Sequence, residues 1–111
     1  MIKKLILNFK NSINGLRFAL SENSFILELI GGMILFPYIF FSDLNIIYKL
    51  SIIIVYVLLL AFELLNTAIE ELCNKINKEF DKDIKAIKDL SSSAVFVVLA
   101  LLLILIILSF I

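Results

Sequence analysis

The sequence predicts an all-α integral membrane protein: an N-terminal amphipathic helix lying on the membrane surface, followed by three transmembrane helices. Three observations predict it. Of the 111 residues 62% are hydrophobic and the mean hydropathy is +1.10, far above a soluble domain of this length. Apolar runs near 25–41, 46–72 and 91–111 are each long enough for a helix to cross a hydrocarbon core of about 30 Å. Charged residues gather instead at the N-terminus and in 74–90. Together these describe one membrane domain, 1–111, since so short a chain cannot build a second bundle.

Residues 1–21 form the surface helix. Ile2, Leu5, Ile6, Phe9, Ile13, Leu16 and Leu20 recur at three- and four-residue steps, while Lys3, Lys4, Asn8, Lys10, Asn11, Asn14 and Arg17 fill the opposite side. A basic amphipathic helix of this kind lies in the interface, apolar face down and lysines toward anionic headgroups. Its apolar residues are spaced rather than continuous and no small-residue cleavage motif follows, so it is expected to be retained rather than removed as a signal peptide.

The first span, 25–41, carries Glu28, Gly31, Gly32 and Pro37. The glycines would let another helix approach closely, and Pro37 would kink the segment or mark its exit. The link "SDLN" at 42–45 leads to the second span, 46–72, interrupted only by Lys49 before its end, "ELLNTAIEEL" at 63–72. Residues 74–90, "NKINKEFDKDIKAIKDL", are too polar for lipid. In the third span, 91–111, Ser109 is the only polar residue after Ala94. Lys3, Lys4, Lys10, Arg17, Lys75, Lys78, Lys82, Lys85 and Lys88 fall on one side of this arrangement and only Lys49 on the other. The positive-inside rule therefore places the N-terminus and the 74–90 segment in the cytoplasm and the C-terminus outside.

Composition also excludes chemistry. With no histidine and only Cys73, an internal disulfide is impossible and a zinc or haem site of the usual ligands is close to excluded. Oxygen donors remain, which favour magnesium or calcium. Neither GxxxxGK[ST] nor GxGxxG is present, so nucleotide chemistry would need another scaffold.

The acids in the second span need a reason, because a carboxylate at membrane depth costs about 2.5–3.5 kcal/mol on insertion scales. At about 100° per residue, Glu63, Asn66 and Glu70 share an arc of roughly 60°, with Thr67 at its border. Two carboxylates on one face repel unless a cation or a proton resolves them, so the stripe points to a cation site. Lys88 and Asp89 sit where the third span begins. Lysine at a helix N-terminus has the wrong sign for the helix dipole but suits a phosphate attracted to the same end, the alternative being an interfacial lysine that snorkels. Ser91, Ser92, Ser93 and Ala94 read as small residues for close helix packing rather than as nucleophiles, there being no base to activate one.

"ELLNTAIEEL" and "KDLSSSAV", with "GLRFAL" at 15–20, "ENSF" at 22–25 and the spacing between them, resemble the prokaryotic diacylglycerol kinase family over essentially the whole chain. The resemblance implies a homotrimeric bundle in the bacterial inner (cytoplasmic) membrane, with active sites shared between subunits, using ATP and Mg2+ to phosphorylate diacylglycerol to phosphatidic acid. It implies Glu63 as general base, Glu22 and Glu70 on magnesium, and Asn66 orienting groups nearby. Lys88 would neutralise the ATP phosphates. Asp89, Glu79 and Asp81 would line the nucleotide site, which Lys4 and Asn11 approach from the surface helix. Ser12, Arg17, Glu28 and Ser92 would face the lipid substrate.

The chain departs from the family pattern at several positions. Asn74 stands where the motif usually continues to Asp, Cys73 where Val is common, and Lys4 where arginine is frequent. Asn77, Lys85 and Ser91 occupy positions often held by glycine. Relatives that act on undecaprenol tend to carry a histidine where this chain has Glu28, which tilts the expectation toward diacylglycerol over an undecaprenol kinase of the same fold. A small transporter using a membrane glutamate normally needs four spans and lacks the charged 74–90 segment. A purely structural membrane protein would leave the polar stripe without a purpose.

Overall fold

The computed structural model describes residues 1–76, 79 and 81–111. Asn77 and Lys78, which the sequence reading places in the cytoplasmic segment, lie outside the described residues. Four helices follow in order: α1 (Ile2–Ala19), α2 (Asn23–Phe41), α3 (Ile46–Ile76) and α4 (Lys82–Ser109). The described residues include no strand, and α2, α3 and α4 are each long and apolar enough to cross a membrane.

α1 carries its apolar face outward: Ile2, Leu5, Ile6, Phe9 and Leu16 are exposed, as an interfacial helix requires if lipid is to cover them. A tight turn joins α1 to α2, with the Ser21 and Glu22 amides donating to the Phe18 and Ala19 carbonyls at 3.0 and 2.9 Å. Ala19, small and 2% exposed, lets α1 pivot close against α3. α2 runs four residues past Pro37 to Phe41, so the proline does not mark the helix exit. Asn45 starts α3 as its N-cap, its Oδ1 accepting from the Tyr48 amide at 2.8 Å, which satisfies one of the free donors of a first helical turn.

α3 is the central element, with α2 and α4 both packed on it. Ile52, Tyr56 and Leu59 of α3 are buried against Leu35 and Ile39 of α2 and Leu102 of α4. Tyrosine hydroxyls in a hydrocarbon setting need partners, and all three find one. Tyr48 Oη donates to the Leu105 carbonyl at 2.9 Å, Tyr56 Oη to the Glu28 carbonyl at 2.8 Å, and Tyr38 Oη pairs with Ser109 Oγ at 2.8 Å.

The two glycines of α2 behave differently. A Cβ on Gly32 would fall on the Tyr56 hydroxyl and 2.5 Å from Cζ, whereas a Cβ on Gly31 would meet nothing. Only Gly32 therefore sets the α2 to α3 approach. The charged 74–90 segment is also more helical than its polarity implies: α3 continues to Ile76 and α4 begins at Lys82. At about 1.5 Å per residue, the 31 residues of α3 and 28 of α4 exceed a bilayer core, so their ends at this pole project beyond it.

Candidate functional site

The buried face of α3 explains where the polar stripe sits. Ile52, Tyr56 and Leu59 lie on the same angular sector as Glu63, Asn66 and Glu70, so the stripe is the core-packing face carried on toward the charged pole. Glu63 is 6% exposed, Asn66 8% and Thr67 8%; Glu70 is half-buried. The acids therefore face protein rather than acyl chains, which is what their desolvation demands.

Asn66 is the hinge of this face. Its Nδ2 donates to Glu70 Oε1 at 3.3 Å and its Oδ1 accepts from Ser91 Oγ at 2.7 Å. Ser91, expected only to provide room for packing, in fact fixes the orientation of the Asn66 amide from α4. One turn beyond Glu70, Lys88 Nζ donates to Asn74 Oδ1 at 2.6 Å. Antiparallel packing produces both contacts, pairing Ser91 with residue 66 and Lys88 with residue 74 on a neighbouring level.

Lys88 needs a correction. The sequence reading puts it at a helix N-terminus, but α4 starts at Lys82, so Lys88 is well past the first turn, where the dipole effect has faded. The helix end belongs to Asp81, whose Oδ1 accepts from the Asp83 and Ile84 amides at 2.9 and 3.1 Å. Asp81, expected at the nucleotide, therefore caps α4. Asp89 is ion-paired with Lys85 at 2.7 Å, the two side chains being 64% and 60% exposed. An exposed pair of this kind contributes about 0.3–0.5 kcal/mol. In contrast to Lys85, Lys88 meets a neutral amide and keeps its net charge.

On the α2 side, the Glu28 carboxyl lies against that of Glu63, and Glu28 Oε2 is buried with no hydrogen-bond partner among the described residues. Glu22 stands at the N-cap of α2, yet its side chain makes no capping bond, so its carboxylate is not spent on its own helix. Ser12 lines a hollow between α1 and α3 with Gly15, Leu16, Thr67 and Glu71. Lys4, Asn11 and Arg17 are exposed along α1, and Glu79 and Ser92 are exposed at and beyond the charged turn. The structure thus brings together Glu28 with Glu63, Asn66 with Glu70 and Ser91, and Lys88 with Asn74. No bond ties Lys4, Asn11 or Arg17 to that group among the described residues.

Asn74 and Tyr56 are the two contributors that the sequence did not single out for a role. Asn74 was read in the sequence only as a departure, standing where the family pattern usually continues to Asp. Tyr56 carried no signal apart from its position two turns before Glu63.

No curated protein matches the chain. Residues 10–110 match the family described as prokaryotic diacylglycerol kinase, over the stretch that contains Glu22, Glu28, the α3 stripe and Lys88. With its membrane-length helices and its buried acids, the chain belongs to the prokaryotic diacylglycerol kinase family and is a membrane-embedded lipid kinase.

Proposed function

We propose that the protein transfers the γ-phosphate of ATP to the free hydroxyl of membrane diacylglycerol, giving phosphatidic acid, with magnesium. The observation that carries this reading is the burial of Glu63 beside Glu28 on the same α3 face that leads to Glu70 and Lys88. Phosphoryl transfer asks for in-line oxygens, neutralised phosphate charge and a base for the alcohol. Glu63 accepts the hydroxyl proton as the new oxygen to phosphorus bond forms and ADP departs. Lys88, held by a neutral amide, directs its charge to the phosphates. Asn66, fixed by Ser91, holds Glu70 in position.

The donor set fits magnesium. That ion takes one or two carboxylates and completes its shell with water and phosphate oxygens. Glu22, idle as a helix cap, and Glu70 would supply the carboxylates, and among the described residues no group of three ligating side chains forms a closed protein cage. Bound there, magnesium would offset the charge of the transferring phosphoryl group.

A homotrimer with shared sites is supported by α3's other side. Ile54, Leu58, Ala61, Leu65, Ala68 and Leu72 are exposed and alternate at four and three residues, the spacing of a left-handed helix seam. The alanines allow close approach between helices in lipid. The segregation of basic residues supports a bacterial inner-membrane orientation with the N-terminus in the cytoplasm and the C-terminus outside.

The test is transfer of labelled γ-phosphate from ATP to dioleoylglycerol or undecaprenol in mixed micelles, with and without magnesium. Magnesium-dependent labelling of the diacylglycerol, lost in Glu70→Gln, is expected. Preferential labelling of undecaprenol reassigns the substrate, and a fully active Glu70→Gln removes the metal role.

A further inference from the structure

We propose that the groove between α2 and α3 at the pole far from Lys88 is a binding site for one anionic phospholipid, its phosphate on Lys49 and its acyl chains along Phe36, Phe40 and Ile53. The inference stands apart from the kinase reading, since it concerns the other end of the molecule and a lipid that is held rather than phosphorylated.

The groove has a volume of about 650 Å3, within the roughly 300–1,000 Å3 of small-molecule sites. Phe36, Pro37 and Phe40 of α2 form one wall, and Ile46, Leu50 and Ile53 of α3 the other. Lys49 is the only polar residue among those that line it. It is half-buried there, and among the described residues no carboxylate pairs with it. An ammonium set in an apolar wall calls for a counter-charge. Its place on the helix sharpens the demand, because Lys49 belongs to the first turn of α3, where the helix dipole opposes a cation. The neighbouring link supplies no anion: Asp43 is exposed and forms no ion pair among the described residues.

A headgroup phosphate is the anion found at this depth. α2 ends at Phe41 and α3 begins at Ile46, so Lys49 lies about 4.5 Å along α3 from its start, at the boundary where lipid phosphates meet hydrocarbon. From Lys49 to Ile53, and from Phe41 back to Phe36, the walls run inward by about 6–8 Å, which suits the upper part of acyl chains held below that phosphate. A neutral diacylglycerol leaves the ammonium unmatched, and a zwitterionic headgroup brings a cation of its own. An anionic phosphodiester such as that of phosphatidylglycerol does neither. A second copy of the chain is the poorer occupant: at about 100° per residue, Lys49 lies roughly 150° around α3 from the seam of Ile54, Leu58, Ala61 and Leu65, so a neighbour on that seam leaves the groove open.

The experiment places the sole strong fluorophore in the groove. The chain contains no tryptophan, and Phe40, 76% exposed, accepts an indole without repacking the core. Phe40→Trp protein is reconstituted in dioleoylphosphatidylcholine vesicles, and its quenching is followed as chain-brominated phosphatidylglycerol or chain-brominated phosphatidylcholine replaces the unlabelled lipid. Phosphatidylglycerol is expected to quench saturably and at about fivefold lower mole fraction than phosphatidylcholine, the size expected of one lysine at an anionic headgroup. In the same background Lys49→Gln should abolish the preference, Lys49→Arg keep it, and Lys3→Gln, which removes an equal charge from α1, leave it unchanged. Native mass spectrometry of the wild type, extracted from an equimolar mixture of the two lipids, should show phosphatidylglycerol retained in excess. No excess on the wild type, equal quenching by the two lipids, or a preference that survives Lys49→Gln overturns the site. Quenching by neither lipid overturns it too and gives the groove to a protein neighbour.

Discussion

Gly32→Ala isolates the contact that sets the α2 to α3 spacing. The added Cβ would land on the Tyr56 hydroxyl, 2.5 Å from Cζ and 3.0 Å from Cε2, so the ring or the helix has to move. Tyr56 is 5% exposed and meets the Phe36 ring edge-on at 5.5 Å, so any shift of the ring has to be taken up toward the space between α2 and α4 that it borders. Overpacking of this kind costs about 1–3 kcal/mol, and loss of the 2.8 Å bond from Tyr56 to the Glu28 carbonyl adds about 0.5–1.5 kcal/mol. The expected loss is about 1.5–4.5 kcal/mol, with Glu28 pushed away from Glu63 and activity reduced alongside. Gly31→Ala, one position away on the same helix and facing open space, is expected to be neutral or slightly stabilising. The assay is reversible unfolding in detergent micelles, run as a double-mutant cycle with Tyr56→Ala. Once the ring is gone, Gly32→Ala has nothing to strike, so the double variant should be no less stable than Tyr56→Ala. Additive losses, or a Gly31→Ala as damaging as Gly32→Ala, would refute the reasoning.

Four other outcomes are expected. Glu63→Gln lowers kcat by about 10²–10⁴-fold, the usual range for a lost general base, while ATP binding measured by nucleotide titration stays intact; a kcat within a few fold of wild type removes Glu63 from the chemistry. Asn74→Asp sets a carboxylate against Lys88 and so raises KM for ATP more than it lowers kcat, because the ammonium is then neutralised before phosphate arrives; an unchanged KM contradicts the role given to Lys88. Ser91→Ala leaves Asn66 Oδ1 without its donor and costs about 1–3 kcal/mol in thermal unfolding, an effect that should vanish in an Asn66→Ala background. Ala61→Phe thickens the α3 seam and is expected to reduce the proposed trimer to smaller species by light scattering in detergent; an unaltered mass places any subunit contact elsewhere.

Much of the fold was legible because its cues are local. Helix existence follows from apolar runs and a three-to-four-residue period, and the stripe of Glu63, Asn66 and Glu70 follows from helical geometry alone. Helix ends were less legible in the charged segment. There, Lys82 to Leu90 alternates charge in a way that suits a projecting helix as well as a loop, and the cap at Asp81 decides between them. Pro37 was ambiguous for a similar reason, since proline near a helix end disturbs few hydrogen bonds.

The sequence by itself determined a surface helix, three spans, the family, and the alignment of two acids and an amide on one face of the second span. All of these depend on residues within a few turns of one another. Tertiary structure decided which glycine the Tyr56 ring crosses, that Ser91 orients Asn66, that Asn74 rather than an acid receives Lys88, and that the Tyr38 hydroxyl of α2 meets Ser109 of α4. Those facts depend on the rotation and register of one helix against another. They are set by how side chains from distant parts of the chain interlock, and no local period records that.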